Sequence, residues 1–150
     1  MKVDMKQVEN AIRRRLDMEG HKGLEIQKCK FEKKTKIDPK QTGIYVIFDI
    51  LLGMVMYVGE GKIVNRLVTH WAKSTLKNLN ASTIKDVVGW RSLREDINYD
   101  IGNWQIFYVY INDGVEEEVI EKGLIKDLRP YANKKIHLQR IKNNKTEGGQ

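Results

Sequence analysis

Residues 43–59 read Gly43-Ile44-Tyr45-Val46-Ile47-Phe48-Asp49-Ile50-Leu51-Leu52-Gly53-Met54-Val55-Met56-Tyr57-Val58-Gly59, and this stretch decides the fold. Gly43 to Phe48 and Met54 to Val58 are rich in β-branched and aromatic side chains, which fit a pleated, half-buried surface. The connection Asp49 to Gly53 is short and closes on glycine. Two such runs around such a loop form a hairpin. Gly59-Glu60-Gly61 then breaks the second strand. From Lys62 to about Lys77 a helix follows, because Ile63, Leu67, Val68 and Trp71 fall on one arc.

Toward the C-terminus, residues 80–100 are ambiguous. Ser82 is positioned to cap a short helix through Val88, and Leu93 and Ile97 suit another. Trp104 to Ile111 is the best candidate for a central strand. Asp113 caps a helix from about Gly114 to Leu128, and Pro130 stops it. Toward the N-terminus, Met5, Val8, Ala11, Ile12 and Leu16 recur at helical spacing, so Met5 to Met18 is a helix ended by Gly20 and Gly23. Leu24 to Phe31 alternates as a strand, and Lys33 to Gln41, with Pro39, is a loop. The expected class is α+β: a small antiparallel three-stranded sheet flanked by helices, with an N-terminal helix and strand as an extension.

The chain has 150 residues, 41% of them apolar, enough for one domain with its own core. No apolar run approaches the ~18 residues of a membrane span, and the N-terminus lacks the apolar stretch of a secretory signal. A lone cysteine, Cys29, fits a reducing compartment, so a cytoplasmic location is expected. The net charge of +7 suits a polyanionic partner. The excess is uneven. Residues 1–42 carry 12 Lys and Arg against 7 Asp and Glu, residues 43–133 carry 10 against 12, and residues 134–150 carry 5 against 1. Two basic flanks, 1–42 and 134–150, thus bracket a slightly acidic domain at 43–133.

Three features invite chemistry. Glu121 shares a helix face with Leu124, Ile125 and Leu128, where an unpaired carboxylate is costly. Its plain alternative is a stripe-edge acid whose head reaches water. Glu116, Glu117 and Glu118 need no such account, since acids in a first turn favour the helix dipole. Arg66 and His70 are four apart, so they stack on one helix face beside Ile63. Arg offers a planar fork of donors to phosphate and His can move a proton near neutral pH, although on these two residues alone a solvated basic face is the better account. Tyr45 and Tyr57 sit at the close of the two strands, where packing rings with surface hydroxyls are common. Cys29 and His21 lack the spacing of a metal quartet, and Gly59-Glu60-Gly61-Lys62 lacks the full spacing of a phosphate loop.

Together these residues resemble the GIY-YIG nuclease superfamily. Gly43-Ile44-Tyr45 and Tyr57-Val58-Gly59 resemble its paired motifs. Arg66-Leu67-Val68-Thr69-His70 resembles its arginine helix, and Ile120-Glu121-Lys122-Gly123-Leu124-Ile125-Lys126 its glutamate helix. Arg129-Pro130-Tyr131-Ala132-Asn133 resembles the closing segment with a structural asparagine. The likeness covers residues 43–133. Glu60 stands where some members carry a small or basic residue, and residues 72–103 exceed the minimal domain.

The resemblance implies an endonuclease hydrolysing DNA phosphodiesters, with Tyr45, Tyr57, Arg66, His70 and Glu121 as catalytic residues. Glu121 would bind Mg²⁺ or another divalent cation such as Mn²⁺, and Gly43, Gly59 and Asn133 would support the site. Arg66 would bind non-bridging oxygens. Tyr45, helped by Tyr57 or His70, would activate water once its pKa is lowered by neighbouring positive charge. Lys62, Lys134, Lys135, Arg140 and Lys142 are the candidate nucleic-acid contacts. A non-catalytic nucleic-acid-binding module on the same fold, or a protein-interaction domain, are the rival readings.

Overall fold

A computed structural model describes residues 2–32, 35–67 and 100–133. The elements are α1 (Met5–Met18), β1 (Gln27–Lys30), β2 (Thr42–Asp49), β3 (Met54–Lys62), β4 (Trp104–Tyr110) and α2 (Gly114–Leu128). Residues 63–67 and 131–133 are also helical. The expected stretches at 68–77 and 80–99, and the basic segment 134–150, lie outside the described residues.

The architecture is α+β with one antiparallel sheet, but the sheet has four strands, in the order β1-β4-β2-β3, not three. The fourth is the short strand assigned to the N-terminal extension. Gln27–Lys30 pairs with β4 from Gln27 opposite Tyr108 to Lys30 opposite Gln105. Only these four residues of the expected Leu24 to Phe31 run form the strand. β2 and β4 are central, so each is covered on both faces and reads as a continuous apolar run.

A second correction concerns Gly59-Glu60-Gly61. These residues do not break β3; they continue it, opposite Tyr45, Ile44 and Gly43 of β2. Flanking strand geometry overrides the poor β propensity of glycine here. At Gly61 φ is +113°, a conformation only glycine adopts without strain. The register shifts between Ile47 and Phe48, and this bulge lets Met56 and Tyr57 both face away from the helices.

Alternation on β2 divides the core. Ile44, Val46 and Phe48 pack with Val58, Phe107 and Val109 beneath Val8, Ile12 and Leu16 of α1 and Ile120 and Leu124 of α2. Tyr45 and Ile47 point to the other face, with Phe31, Met56, Ile63, Leu67, Trp104, Ile106, Tyr108 and Ala132. The segment set apart as an N-terminal extension therefore contributes to both cores, α1 to the first and Phe31 and Ile37 to the second. Asp4 and Gln7 close α1 with a reciprocal capping box. Arg15 crosses Gly123, where a Cβ would sit 2.6 Å from its Nε, and reaches Asp127 at 2.8 and 2.9 Å.

Two buried acids hold loops together. Asp49, fully buried, accepts from the Leu52 N–H at 2.8 Å and the Trp104 indole at 3.0 Å, fixing the hairpin turn. Glu117 is also buried, contrary to the reading of the first-turn acids as simple dipole partners. It accepts from Thr42 Oγ1 and the Asp113 N–H, both at 2.8 Å, tying the start of α2 to the start of β2. Asp113 caps α2 through the N–H groups of Val115 and Glu116.

Candidate active site

The candidate residues gather at the C-terminal end of β3, the edge strand beside β2. Tyr45 lies opposite Gly59. A Cβ at residue 59 would collide with the Tyr45 hydroxyl and ring, so the tyrosine occupies the space that glycine leaves. Gly43 is required for a different reason: a Cβ there would collide with the Val109 carbonyl of β4. Tyr57 stacks on Tyr45 with ring centroids 6.2 Å apart and planes 22° apart.

Tyr45 is 1% exposed, so its hydroxyl is not a surface group. Burial pushes its pKa well above the usual 10, the neighbouring Tyr57 adds to the rise, and the Arg66 charge opposes both. The expected lowering is therefore outweighed, and the hydroxyl holds its proton in this state. Arg66 extends from the helical residues 63–67, whose Ile63 and Leu67 are buried. Its Nε would lie 3.6 Å from a Cβ on Gly61, so the positive-φ glycine and the arginine are close neighbours. Arg66 is exposed while Ile63, three residues before it in the helical stretch, is buried.

Glu121 approaches from α2. It is half-buried beside the buried line Glu117, Ile120 and Leu124, at the edge of the apolar stripe. Its pKa is pushed up to about 7, by burial first and by the Glu60 charge second, with Arg66 pulling the other way. Glu60 thus belongs to the same electrostatic neighbourhood, and it also acts on Tyr45. In the sequence Glu60 stands out only as a departure from the family pattern. The alternation of β3 carries the missing signal, because it puts residue 60 on the face of Val58 that α2 covers.

Asn133 closes the site from outside. Its Oδ1 accepts from the Val58 N–H and its Nδ2 donates to the Val58 carbonyl, each at 2.8 Å. Both outward-facing backbone groups of the edge strand are thereby satisfied between Tyr57 and Gly59. Lys62 ends β3 with its side chain exposed. His70, Lys134, Lys135, Arg140 and Lys142 lie outside the described residues.

Two half-buried acids near one arginine suit a divalent ion, since Mg²⁺ takes one or two carboxylates and keeps several waters. No cluster of three or more His, Cys, Asp or Glu suited to a metal occurs among the described residues. Water or substrate oxygens would have to complete the coordination. Among the described residues no helix is long and apolar enough to cross a membrane.

No family model matches the chain, and no solved structure matches it. The chain is similar to the UvrABC system protein C of Rickettsia akari, 31% identical over 111 residues. It is also similar to the same protein of Rickettsia prowazekii, 29% identical over 111 residues. The match takes in 73% of this chain in both cases, but only 14% and 15% of the relatives. The chain therefore spans about one-seventh of the curated relatives it matches.

Proposed function

We propose that the protein is a metal-dependent endonuclease that hydrolyses DNA phosphodiester bonds through a GIY-YIG-type site. The observation that supports this is the gathering of Tyr45, Tyr57, Arg66 and Glu121, from three separate parts of the chain, around the end of β3. The partial similarity to UvrABC system protein C supports a DNA-processing role.

Glu121 holds a divalent cation, Mg²⁺ or Mn²⁺, through its carboxylate. When bound, such a cation neutralises phosphate charge and eases departure of the leaving oxygen. Arg66 places its fork of donors on the non-bridging oxygens, where charge grows in the transition state. Tyr45 keeps its proton in the free protein and so acts there as a hydrogen-bond donor that orients water or phosphate. Tyr57 holds the Tyr45 ring by stacking. Lys62 and the basic residues Lys134, Lys135, Arg140 and Lys142 supply the contacts to the phosphate backbone of the duplex.

The test is incubation with supercoiled plasmid and Mg²⁺, with and without chelator, for wild type and Glu121→Gln. Nicked or linear product that needs both the metal and Glu121 is expected. Salt-sensitive binding without cleavage would replace the enzyme with a nucleic-acid-binding module on this fold.

A further inference from the structure

Residues 116, 120, 123 and 127 of α2 follow one another at spacings of four, three and four, so they share one face of the helix. The N-terminal segment meets that face. His21, just past the end of α1, bonds Glu116 at 3.0 Å. Ile120 packs with Val8, Ile12 and Leu16 of α1 in the apolar core. Arg15 lies across Gly123 and forks onto Asp127, Nε to Oδ2 at 2.9 Å and Nη2 to Oδ1 at 2.8 Å. Its Nη1 reaches Glu19 at 3.3 Å. Glu121 stands two residues before Gly123, about 200° around the helix, so it leaves α2 on the side away from α1. α1 thus grips from behind the helix that presents Glu121 to the end of β3.

The anchorage of α2 is uneven along its length. Its first turn is tied to the sheet, because Glu117 accepts from Thr42 Oγ1 of β2. Among the described residues, hydrogen bonds from other elements reach α2 in that turn and then again only at Asp127. Apolar packing holds the length between, but it is non-directional. A bidentate fork fixes both distance and angle. The Arg15 side chain is 15% exposed, so little water competes for its bonds. Gly123 is the matching half of the device. A Cβ there would stand 2.6 Å from Nε, 2.7 Å from Cδ and 2.8 Å from Cζ of Arg15. Glycine weakens a helix interior, and here it falls where the fork crosses.

We propose that Arg15 is a positioning residue for the nuclease site: its fork on Asp127, seated over Gly123, sets the placement of Glu121 against the end of β3. The inference rests on the role in cleavage proposed for Glu121. It makes the N-terminal helix, which lies outside the family-like segment 43–133, part of the working site.

The experiment compares Arg15→Ala, Asp127→Asn and Gly123→Ala with Arg13→Ala in the full chain. Arg13 is the control, because it bonds the Lys22 and Leu24 carbonyls at 3.1 and 2.6 Å and so ties α1 to its own following turn. Three quantities are read: the thermal midpoint, the single-turnover rate of plasmid cleavage in Mg²⁺ beside DNA affinity, and a distance across the fold. The distance is taken between spin labels at Leu51→Cys and Lys122→Cys, both exposed positions, in a Cys29→Ser background. Misplacing a catalytic group by about 1 Å can slow a reaction about 100-fold, so Arg15→Ala and Asp127→Asn should slow turnover by at least about ten-fold, with DNA affinity within about two-fold. The label distance should shift or broaden in both. Gly123→Ala separates placement from stability: alanine favours the helix but displaces the fork, so the midpoint should fall less than in Arg15→Ala while turnover falls as far. Arg13→Ala should lower the midpoint and leave turnover near wild type. Wild-type turnover in Arg15→Ala, or rates that follow the midpoint in every variant including Arg13→Ala, would overturn the proposal. If the wild type does not cleave, the nuclease reading falls. The label distance then decides alone whether Arg15 places α2, and an unchanged distance in Arg15→Ala overturns that placement too.

Discussion

Replacing Asn133 with Ala tests whether the closing segment fixes the edge strand. The Asn133 amide makes two bonds of 2.8 Å to the N–H and carbonyl of Val58, and Val58 is 1% exposed. Alanine leaves both backbone groups without their partner. A buried polar group so orphaned costs about 1–3 kcal/mol. Asn133 is only half-buried, so water recovers part of this, and about 2–3 kcal/mol for the pair is the expected loss. For a domain of this size each kcal/mol moves Tm by roughly 2–4 °C, so the midpoint should fall by about 4–12 °C. Asn133→Asp keeps an acceptor for the Val58 N–H but sets a second acceptor against its carbonyl, so it should lose at least half as much. Thermal unfolding followed by circular dichroism reads the loss, and hydrogen exchange of the Val58 amide reads its location. A midpoint within about 1 °C of wild type with unchanged Val58 protection would show that the clamp contributes nothing and that water replaces it in full.

Other changes separate chemistry from architecture. Glu121→Gln should abolish Mg²⁺-dependent cleavage in a plasmid assay while gel-shift affinity for DNA stays near wild type; cleavage at the wild-type rate would remove the metal assignment. Arg66→Ala should cost about 2.7–4 kcal/mol of transition-state stabilisation with a much smaller loss of affinity. An equal loss in binding and single-turnover rate would make Arg66 a backbone anchor only. Ending the chain after Lys135 should flatten the slope of log affinity against log salt by about 0.9 for every phosphate no longer neutralised, and identical slopes would refute a basic arm. Burial pushes the Cys29 thiol up to about 11, so its alkylation at pH 8 should be slower than that of a free thiol and accelerate as pH approaches that value. The folded state prefers the neutral thiol, so any contribution of Cys29 to stability is present below the unfolded thiol pKa and is lost as pH rises through the folded one.

The elements legible in the sequence are those whose signals are local. α1 and α2 run Met5–Met18 and Gly114–Leu128, as helical spacing and the Asp113 cap indicate. The hairpin and the central strand Trp104–Tyr110 follow from β-rich runs bounded by turn residues. What escapes such reading is what depends on partners far along the chain. The continuation of β3 through Gly59-Glu60-Gly61 is imposed by Thr42, Gly43 and Ile44 across the ladder, not by the intrinsic preference of glycine. The strand within Leu24 to Phe31 is legible, but its place as the fourth strand of the sheet depends on the edge of β4 that receives Gln27–Lys30. Glu117 looks in sequence like any first-turn acid. Its burial comes with Thr42, seventy-five residues earlier.

The same dependence explains why the pKa logic of Tyr45 reverses. Sequence shows an arginine downstream and suggests a lowered phenol pKa. Structure shows that the hydroxyl lies over Gly59 with almost no exposure, so desolvation outweighs the single favourable charge. The glycine that admits the ring also shuts it from water, and both effects arise from one missing side chain. A carboxylate pair stands at the same strand end, with Glu60 and Arg66 acting on Glu121 in opposite directions. In the free site burial thus keeps the Tyr45 phenol protonated and pushes the Glu121 carboxyl up to about 7. Positive charge entering near Glu60 and Glu121 would favour the ionised form of both groups at once. On the proposed function, binding of cation and ionisation of the site are then one linked event, its threshold raised first by the burial of Glu121 and second by the Glu60 charge.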